Sequence, residues 1–105
     1  MINNQLTPPQ AVRYINTWLT RNSYSDLFPN DIALLLSENR RLTRSPNVAK
    51  YGRIPFSKDN KGRVRYSLED IQDLCNNAIK PICTNRLAIK LAKAAGLKYY
   101  TPYES

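Results

Sequence analysis

Residues 40–65, RRLTRSPNVAKYGRIPFSKDNKGRVR, contain the turn signals and the charge on which the prediction of the fold depends. The stretch holds nine Lys or Arg residues and one acid, Asp59, so its net charge is +8. The whole chain of 105 residues has 16 basic and 8 acidic residues, which leaves seven of each elsewhere. One quarter of the sequence therefore carries all of the positive excess. This favours a polyanionic partner over a solubilising surface, in which the two signs are usually interspersed.

The centre of this stretch predicts a short helix. Ser45 can accept hydrogen bonds from open backbone N–H groups, and the proline after it presets the first helical dihedral angle. Gly52 supplies a stop signal, because glycine readily adopts the left-handed conformation that ends many helices. Val48 and Tyr51 can face inward. We expect outward-facing side chains at Asn47, Lys50 and Arg53.

After this helix the apolar residues change to a period of two, which is typical of strands. Ile54 and Phe56 alternate with polar or proline positions, and Val64 and Tyr66 alternate with arginines. Residues 58–62, KDNKG, contain the Asp, Asn and Gly that tight turns require. The pattern predicts a hairpin with an apolar inner face and arginines on the outer face.

Helices are predicted on the N-terminal side of the basic stretch. Thr7, followed by two prolines, predicts the start of an amphipathic helix over about 8–21. Asn30 or Asp31 could begin a second helix with a dense apolar set, and we expect this helix to fray near 37–39.

The C-terminal side also favours helices. Ser67 and Asp70 resemble a capping box, with Asp in place of the usual Glu or Gln, and the helix that follows should end at Pro81. Thr84 could cap a last helix over about 85–95. One face of this last helix carries Leu87, Ala88, Leu91, Ala92 and Ala95. The tyrosines of the tail, at 99, 100 and 103, could pack on the body or on a partner.

Composition limits the class of protein. A hydrophobic content of 42% argues against global disorder, and no apolar run approaches the roughly 20 residues of a membrane span. We expect one soluble domain over 1–105, cytoplasmic because the N-terminus lacks the features of a signal peptide. With no histidine and two cysteines, Cys75 and Cys83, we expect a reduced, buried Cys75 and no metal site.

Residues 30–74 resemble the winged helix-turn-helix of the excisionase and MerR-like superfamily, over about 45 of 105 residues. That motif runs from an "IA-LL" helix through a short second helix ending in Gly, then "IP", a basic wing and an "RY---DI---L" close. The matching residues are Ile32, Ala33, Leu35, Leu36, Ser45, Gly52, Ile54, Pro55, Gly62, Arg65, Tyr66, Asp70, Ile71 and Leu74. The resemblance implies a mainly α-helical fold with a small β-hairpin, its core at 30–79 and helices on both flanks.

The resemblance also implies a function, sequence-specific binding of double-stranded DNA. Such a protein would be a small transcriptional regulator or an excisionase-like recombination directionality factor of a mobile element, such as a phage or plasmid. The second helix would enter the major groove, where Arg44, Asn47 and Lys50 could read bases, while the hairpin would contact phosphates. The predicted DNA-binding residues are Arg40, Arg41, Arg44, Ser45, Asn47, Lys50, Tyr51, Arg53, Lys58, Lys61, Arg63 and Arg65.

Other functions receive less support. No nucleophile–base pair, phosphate loop or metal set is evident, so we expect no enzyme, no cofactor and no small-molecule substrate. The main alternative is a basic protein-interaction module or inhibitor that docks on an acidic protein surface. RNA binding is favoured less, because no exposed aromatic platform is evident. A homodimer could form through the flanking helices.

Overall fold

The computed structural model describes residues 4–41 and 45–96. Within them the chain is mainly helical, with one small antiparallel sheet. The helices are α1 (Pro8–Arg21), α2 (Ile32–Arg41), α3 (Pro46–Tyr51), α4 (Leu68–Asp73) and α5 (Lys80–Ala94). The strands are β1 (Gln5–Leu6), β2 (Ser57–Lys58) and β3 (Val64–Ser67), in the order β1–β3–β2. None of the described helices is long and apolar enough to cross a membrane.

Helix α1 begins as its sequence predicts. The Thr7 hydroxyl accepts from the backbone N–H of Gln10, and the Gln10 side chain accepts from the Thr7 N–H, which makes a reciprocal capping box. The buried residues of this helix, Ala11, Ile15 and Leu19, recur every four positions and form one stripe. This stripe packs into the core, so α1 is part of the domain body.

Helix α2 is longer and more ordered than predicted. Asp31 begins it, because its side chain accepts from the Leu34 N–H at 3.1 Å. The expectation that this helix frays near 37–39 is wrong, since it continues to Arg41 and Asn39 is buried. Asn39 lies on the same stripe as the buried leucines one turn earlier, so the core holds the last turn in place.

The predicted hairpin is present but short. Ser57 pairs with Arg65 and Lys58 with Val64, whereas residues 54–56 lead into β2 without strand pairing. A third strand, β1, was not predicted, and it pairs Leu6 with Tyr66 on the other edge of β3. Two strands alone are marginally stable in water. Pairing with β1 gives β3 a neighbouring strand on both edges, which stabilises the hairpin.

The prediction that a helix ends at Pro81 is wrong. A π-helical segment, Leu74–Ile79, follows α4 and leads directly into α5, so the helical path is continuous. In an α-helix the proline ring would clash with the carbonyl of Asn77, four residues earlier. Here the Lys80 N–H instead donates to the Cys75 carbonyl, five residues back, which is the wider π register. The extra residue in the turn accommodates the proline without breaking the helix.

The apolar face of α5 is only partly used. Cys83, near the start, is its buried residue, whereas the Leu91 side chain is 60% exposed. Thr84 does not begin a helix as predicted, because its hydroxyl donates to the Pro81 carbonyl from inside the same helix. The end of α5 therefore leaves the core with its apolar stripe largely open to solvent.

Both cysteines are free and buried, as predicted for Cys75. Burial raises the pKa of the Cys75 thiol from its ordinary value of 9.0 to about 12, because the thiolate would lose its hydration. We expect a thiol-reactive disulfide reagent to label Cys75 far more slowly in the native protein than in denaturant at about pH 8, since the thiolate is the nucleophile. Stopped-flow absorbance on Cys83→Ala would measure this rate; fast native labelling would contradict the burial of Cys75.

Candidate nucleic-acid interface

The side chain of Asn39 connects the elements that carry the predicted site. Its Nδ2 donates to Asn47 Oδ1 at 2.7 Å and to the Gly52 carbonyl at 2.8 Å, while its Oδ1 accepts from the Ile54 N–H at 2.9 Å. Asn39 is 1% exposed, and no other polar residue is buried in the described part of the chain. One amide thus fixes α2, α3 and the segment entering the hairpin relative to each other.

Asn47 faces inward, which corrects the prediction that it lies on the outer side of α3. Besides accepting from Asn39, it donates through Nδ2 to the Leu35 carbonyl at 2.9 Å. Both heteroatoms of its amide are therefore bonded within the protein. An asparagine that reads adenine needs a donor and an acceptor on the same base edge, and Asn47 already uses both in folding.

Arg53 and Arg40 also make internal contacts. Arg53 donates from Nη1 to the Asn39 carbonyl at 2.7 Å and from Nη2 to the Arg40 carbonyl at 3.1 Å, so it caps the negative end of α2. Arg40 donates to the Tyr66 hydroxyl at 2.6 Å, and its guanidinium carbon lies 5.9 Å from the centre of that ring. Arg53 therefore connects the end of α2 to the segment after α3, and Arg40 connects it to β3.

Helix α3 has the predicted caps. The Ser45 hydroxyl accepts from the Val48 N–H at 3.2 Å, and Gly52 ends the helix with a positive φ of 74°. Tyr51 packs half-buried, edge-on to Phe28, with ring centres 6.2 Å apart. Burial raises the pKa of its phenol, and the nearby Arg86 opposes this shift.

Lys50 is the cation that α3 presents to solvent. Its side chain is exposed, and its Nζ lies 5.6 Å from the centre of the Tyr51 ring. A cation over an aromatic face is attracted by the ring quadrupole, which limits the conformations of the long side chain. Lys50 is therefore both accessible and partly oriented.

Asp59 organises the turn of the hairpin. Its Oδ1 accepts from the N–H groups of Lys61 and Arg63, both at 2.9 Å. Its Oδ2 receives Arg63 Nε at 3.1 Å and Arg65 Nη2 at 3.0 Å. The pKa of Asp59 lies below its ordinary value, chiefly because the carboxylate accepts from the Arg63 N–H. Partial desolvation raises this pKa, and the Lys61 N–H and the Arg63 guanidinium lower it further. The carboxyl is ionised at neutral pH.

The two hairpin arginines differ in exposure. The Arg63 side chain is 60% exposed. The Arg65 side chain is 20% exposed, and it donates to the carbonyl of the preceding residue, Val64. Arg65 lies within β3 and is largely covered, whereas Arg63 directly precedes that strand. The predicted contact residues that are exposed are Arg41, Lys50, Arg53, Lys58, Lys61 and Arg63, although Arg53 also donates to two carbonyls of α2. Arg44, another predicted contact, lies outside the described residues.

Sequence reasoning missed two residues that build the site. Asn39 lies three and four positions after Leu36 and Leu35, so the helical period could have shown that it shares their buried stripe. Arg86 donates to the Leu27 carbonyl at 2.7 Å and fastens α5 to the turn before α2. Arg86 and Leu27 are 59 positions apart, and no local signal in the sequence indicates their contact.

The described residues, 4–41 and 45–96, contain no group of three or more His, Cys, Asp or Glu side chains arranged to hold a metal ion. No protein-family model matches this chain, and comparison with curated proteins and with solved structures gives no significant match. The exposed cations and the contacts that support them are therefore the basis for a functional proposal.

Replacing Asn39 by Ala should destabilise the protein by about 1 to 3 kcal/mol, because the buried Ile54 N–H and Gly52 carbonyl lose their partner. Asn39→Asp should cost more, since a carboxylate oxygen would face two other oxygen acceptors. Urea denaturation followed by circular dichroism would measure both. Asn16→Ala, at an exposed asparagine of α1, is the matched control and should change little; an equal effect there would contradict the central role of Asn39.

Proposed function

We propose that this protein binds double-stranded DNA sequence-specifically, with α2 and α3 forming a helix-turn-helix and the β2–β3 hairpin forming its wing. In this proposal the arrangement corresponds to that of the excisionase and MerR-like superfamily, which the sequence of residues 30–74 resembles. Within that superfamily the proposal covers two roles, a small transcriptional regulator and an excisionase-like recombination directionality factor of a mobile element. Fold-level resemblance alone supports these roles, whereas the exposed cations support DNA binding.

The observation that carries the proposal is the set of exposed lysines on α3 and the hairpin. Lys50, Lys58 and Lys61 form no ion pair with any other residue in 4–41 and 45–96. The one acid of the basic stretch, Asp59, already receives two guanidiniums. No ion pair within the described residues neutralises these three lysines, and phosphate groups would do so with release of counterions.

The contacts divide the predicted residues by role. Lys50 is the candidate for base readout, because it is exposed on the helix that would enter the major groove. Asn47 positions this helix, since its amide is bonded to α2. The hairpin cations Lys58, Lys61 and Arg63 are candidates for phosphate contacts, which fix register and strengthen binding without reading sequence.

Prior organisation supports this division. The Asn39 amide, the caps of α3 and the Arg53 contacts hold α3 in one orientation before any ligand arrives. Ordering flexible groups on binding weakens affinity, so a fixed helix loses less free energy when it docks in a groove.

Helix α5 favours a second candidate function, docking on an acidic protein. The segment Lys80–Ala94 has four cations and no acid, and the exposed Leu91 lies on its open apolar stripe. The same charge disfavours a homodimer in which two copies of α5 pair directly, because like charges would be brought together. The apolar stripe of α1 is buried within the protomer and is not open for such a dimer.

Salt dependence separates the two candidates. If the hairpin contacts phosphates, Lys58→Ala/Lys61→Ala should lower the slope of log affinity against log salt for duplex DNA by about 1.8, since each lost phosphate contact removes about 0.9. Fluorescence anisotropy over a salt series would measure this slope. Lys90→Ala/Lys93→Ala removes the same charge from exposed sites on α5 and should leave the slope nearly unchanged. Duplex affinity indifferent to salt would refute the proposal.

Lys50→Ala tests sequence readout. We expect the variant to lose about 1 to 3 kcal/mol of discrimination at one position of the preferred site, because a lysine contact to guanine would be absent. Selection of bound duplexes from a random pool, with the native protein and the variant in parallel, would identify that position. Identical selected sequences for both proteins would exclude Lys50 as the reading residue.

A further inference from the structure

The turn of the β2–β3 hairpin is closed without help from one oxygen of Asp59. The Asp59 N–H donates to the Arg63 carbonyl and the Gly62 N–H to the Asp59 carbonyl, both at 2.9 Å. The Oδ1 atom then accepts two further backbone N–H groups. Among the described residues, the remaining atom, Oδ2, is bonded to the guanidiniums of Arg63 and Arg65 alone, so its contribution is to the position of these side chains.

The two arginines use this oxygen differently. Arg65 places Nη2 on Asp59 and Nη1 on the Val64 carbonyl, so both terminal nitrogens are bonded within the hairpin. Within the described part of the chain Arg63 uses only Nε, so its two terminal amino groups have no partner there, and the side chain is 60% exposed. Arg65 thus holds Asp59 in place. Arg63 presents two terminal amino groups, which can bind two oxygens of one phosphate.

We propose that Asp59, held by its contact with Arg65, is a positioning residue that directs the Arg63 guanidinium at a phosphate of the DNA backbone. This inference rests on the proposed function. The ligand group in this proposal is a phosphodiester, because the hairpin would lie along the DNA backbone and the two terminal amino groups of Arg63 match two oxygens of one phosphate.

Asp59 has two opposing effects on a DNA ligand. Its negative charge repels phosphate, and removing it would strengthen binding if charge alone mattered. Its contact with Nε restricts a long side chain that would otherwise lose conformational freedom on binding. Since two guanidiniums already surround the carboxylate, the cluster remains positive overall, and we infer that positioning outweighs repulsion.

The variant Asp59→Asn decides between these effects by the sign of the change. It keeps an oxygen for the two backbone N–H groups, but places an NH₂ donor against the two guanidiniums, which releases Arg63. We expect duplex affinity about two- to ten-fold weaker than native at fixed salt, the equivalent of about 0.4 to 1.4 kcal/mol, because one side chain is no longer held in place. Affinity equal to or tighter than native would overturn the inference.

Asp26→Asn is the matched control, because it makes the same change of charge at an exposed acid outside the hairpin. We expect it to bind at least as tightly as the native protein. Arg65→Lys keeps the charge but loses the second terminal nitrogen, so it should weaken binding as Asp59→Asn does. The double variant should be no weaker than either, because the two changes release the same side chain; additive losses would count against a shared role.

Two measurements keep this test separate from other failures. Thermal unfolding by circular dichroism should show Asp59→Asn folded at the assay temperature, since the backbone bonds of the turn remain. If the native protein and Asp26→Asn both lack salt-dependent duplex binding, the proposed function itself fails. If both bind and Asp59→Asn binds as tightly, only the positioning role of Asp59 is overturned.

Discussion

The buried amide of Asn39 is the constraint on which the arrangement of α2, α3 and the hairpin depends. An unpaired amide in the core would be strongly unfavourable, so the surrounding backbone must supply its partners. Its partners are three groups that follow one another along the chain: the Asn47 side chain in α3, the Gly52 carbonyl at the end of α3 and the Ile54 N–H before the hairpin. A purely apolar contact is non-directional and would allow these elements to slide, whereas three hydrogen bonds specify one geometry.

The cations of the basic stretch belong to two groups with different physical roles. Arg40, Arg53 and Arg65 use their guanidiniums to bond a tyrosine hydroxyl, backbone carbonyls and a carboxylate. The planar, multi-donor guanidinium suits such supporting contacts. Lysines, with a compact and strongly hydrated charge, remain at the surface. A high local charge in the sequence therefore overstates the number of cations available to a ligand, although the remaining set is still one-signed.

The π-helical segment before Pro81 determines how the C-terminal part of the chain leaves the domain. Because the helix continues through the proline, α5 extends away from the core and is fastened near its start, by Cys83 in the core and by Arg86 at the Leu27 carbonyl. The exposed Leu91 follows from this path and not from an unusual composition of α5. The stripe Ala11, Ile15 and Leu19 of α1, by contrast, is buried as in an ordinary amphipathic helix.

The sequence by itself determined the features set by neighbouring residues: the caps at Thr7 and Ser45, the glycine stop at Gly52 and the turn of the hairpin. Each depends on side chains within about four positions, so local patterns identify them. The tertiary structure alone decided the pairing of β1 with β3, the inward orientation of Asn47 and the division of arginines into supporting and presented groups. These depend on partners that are distant in sequence, and propensity and periodicity contain no information about which distant groups meet.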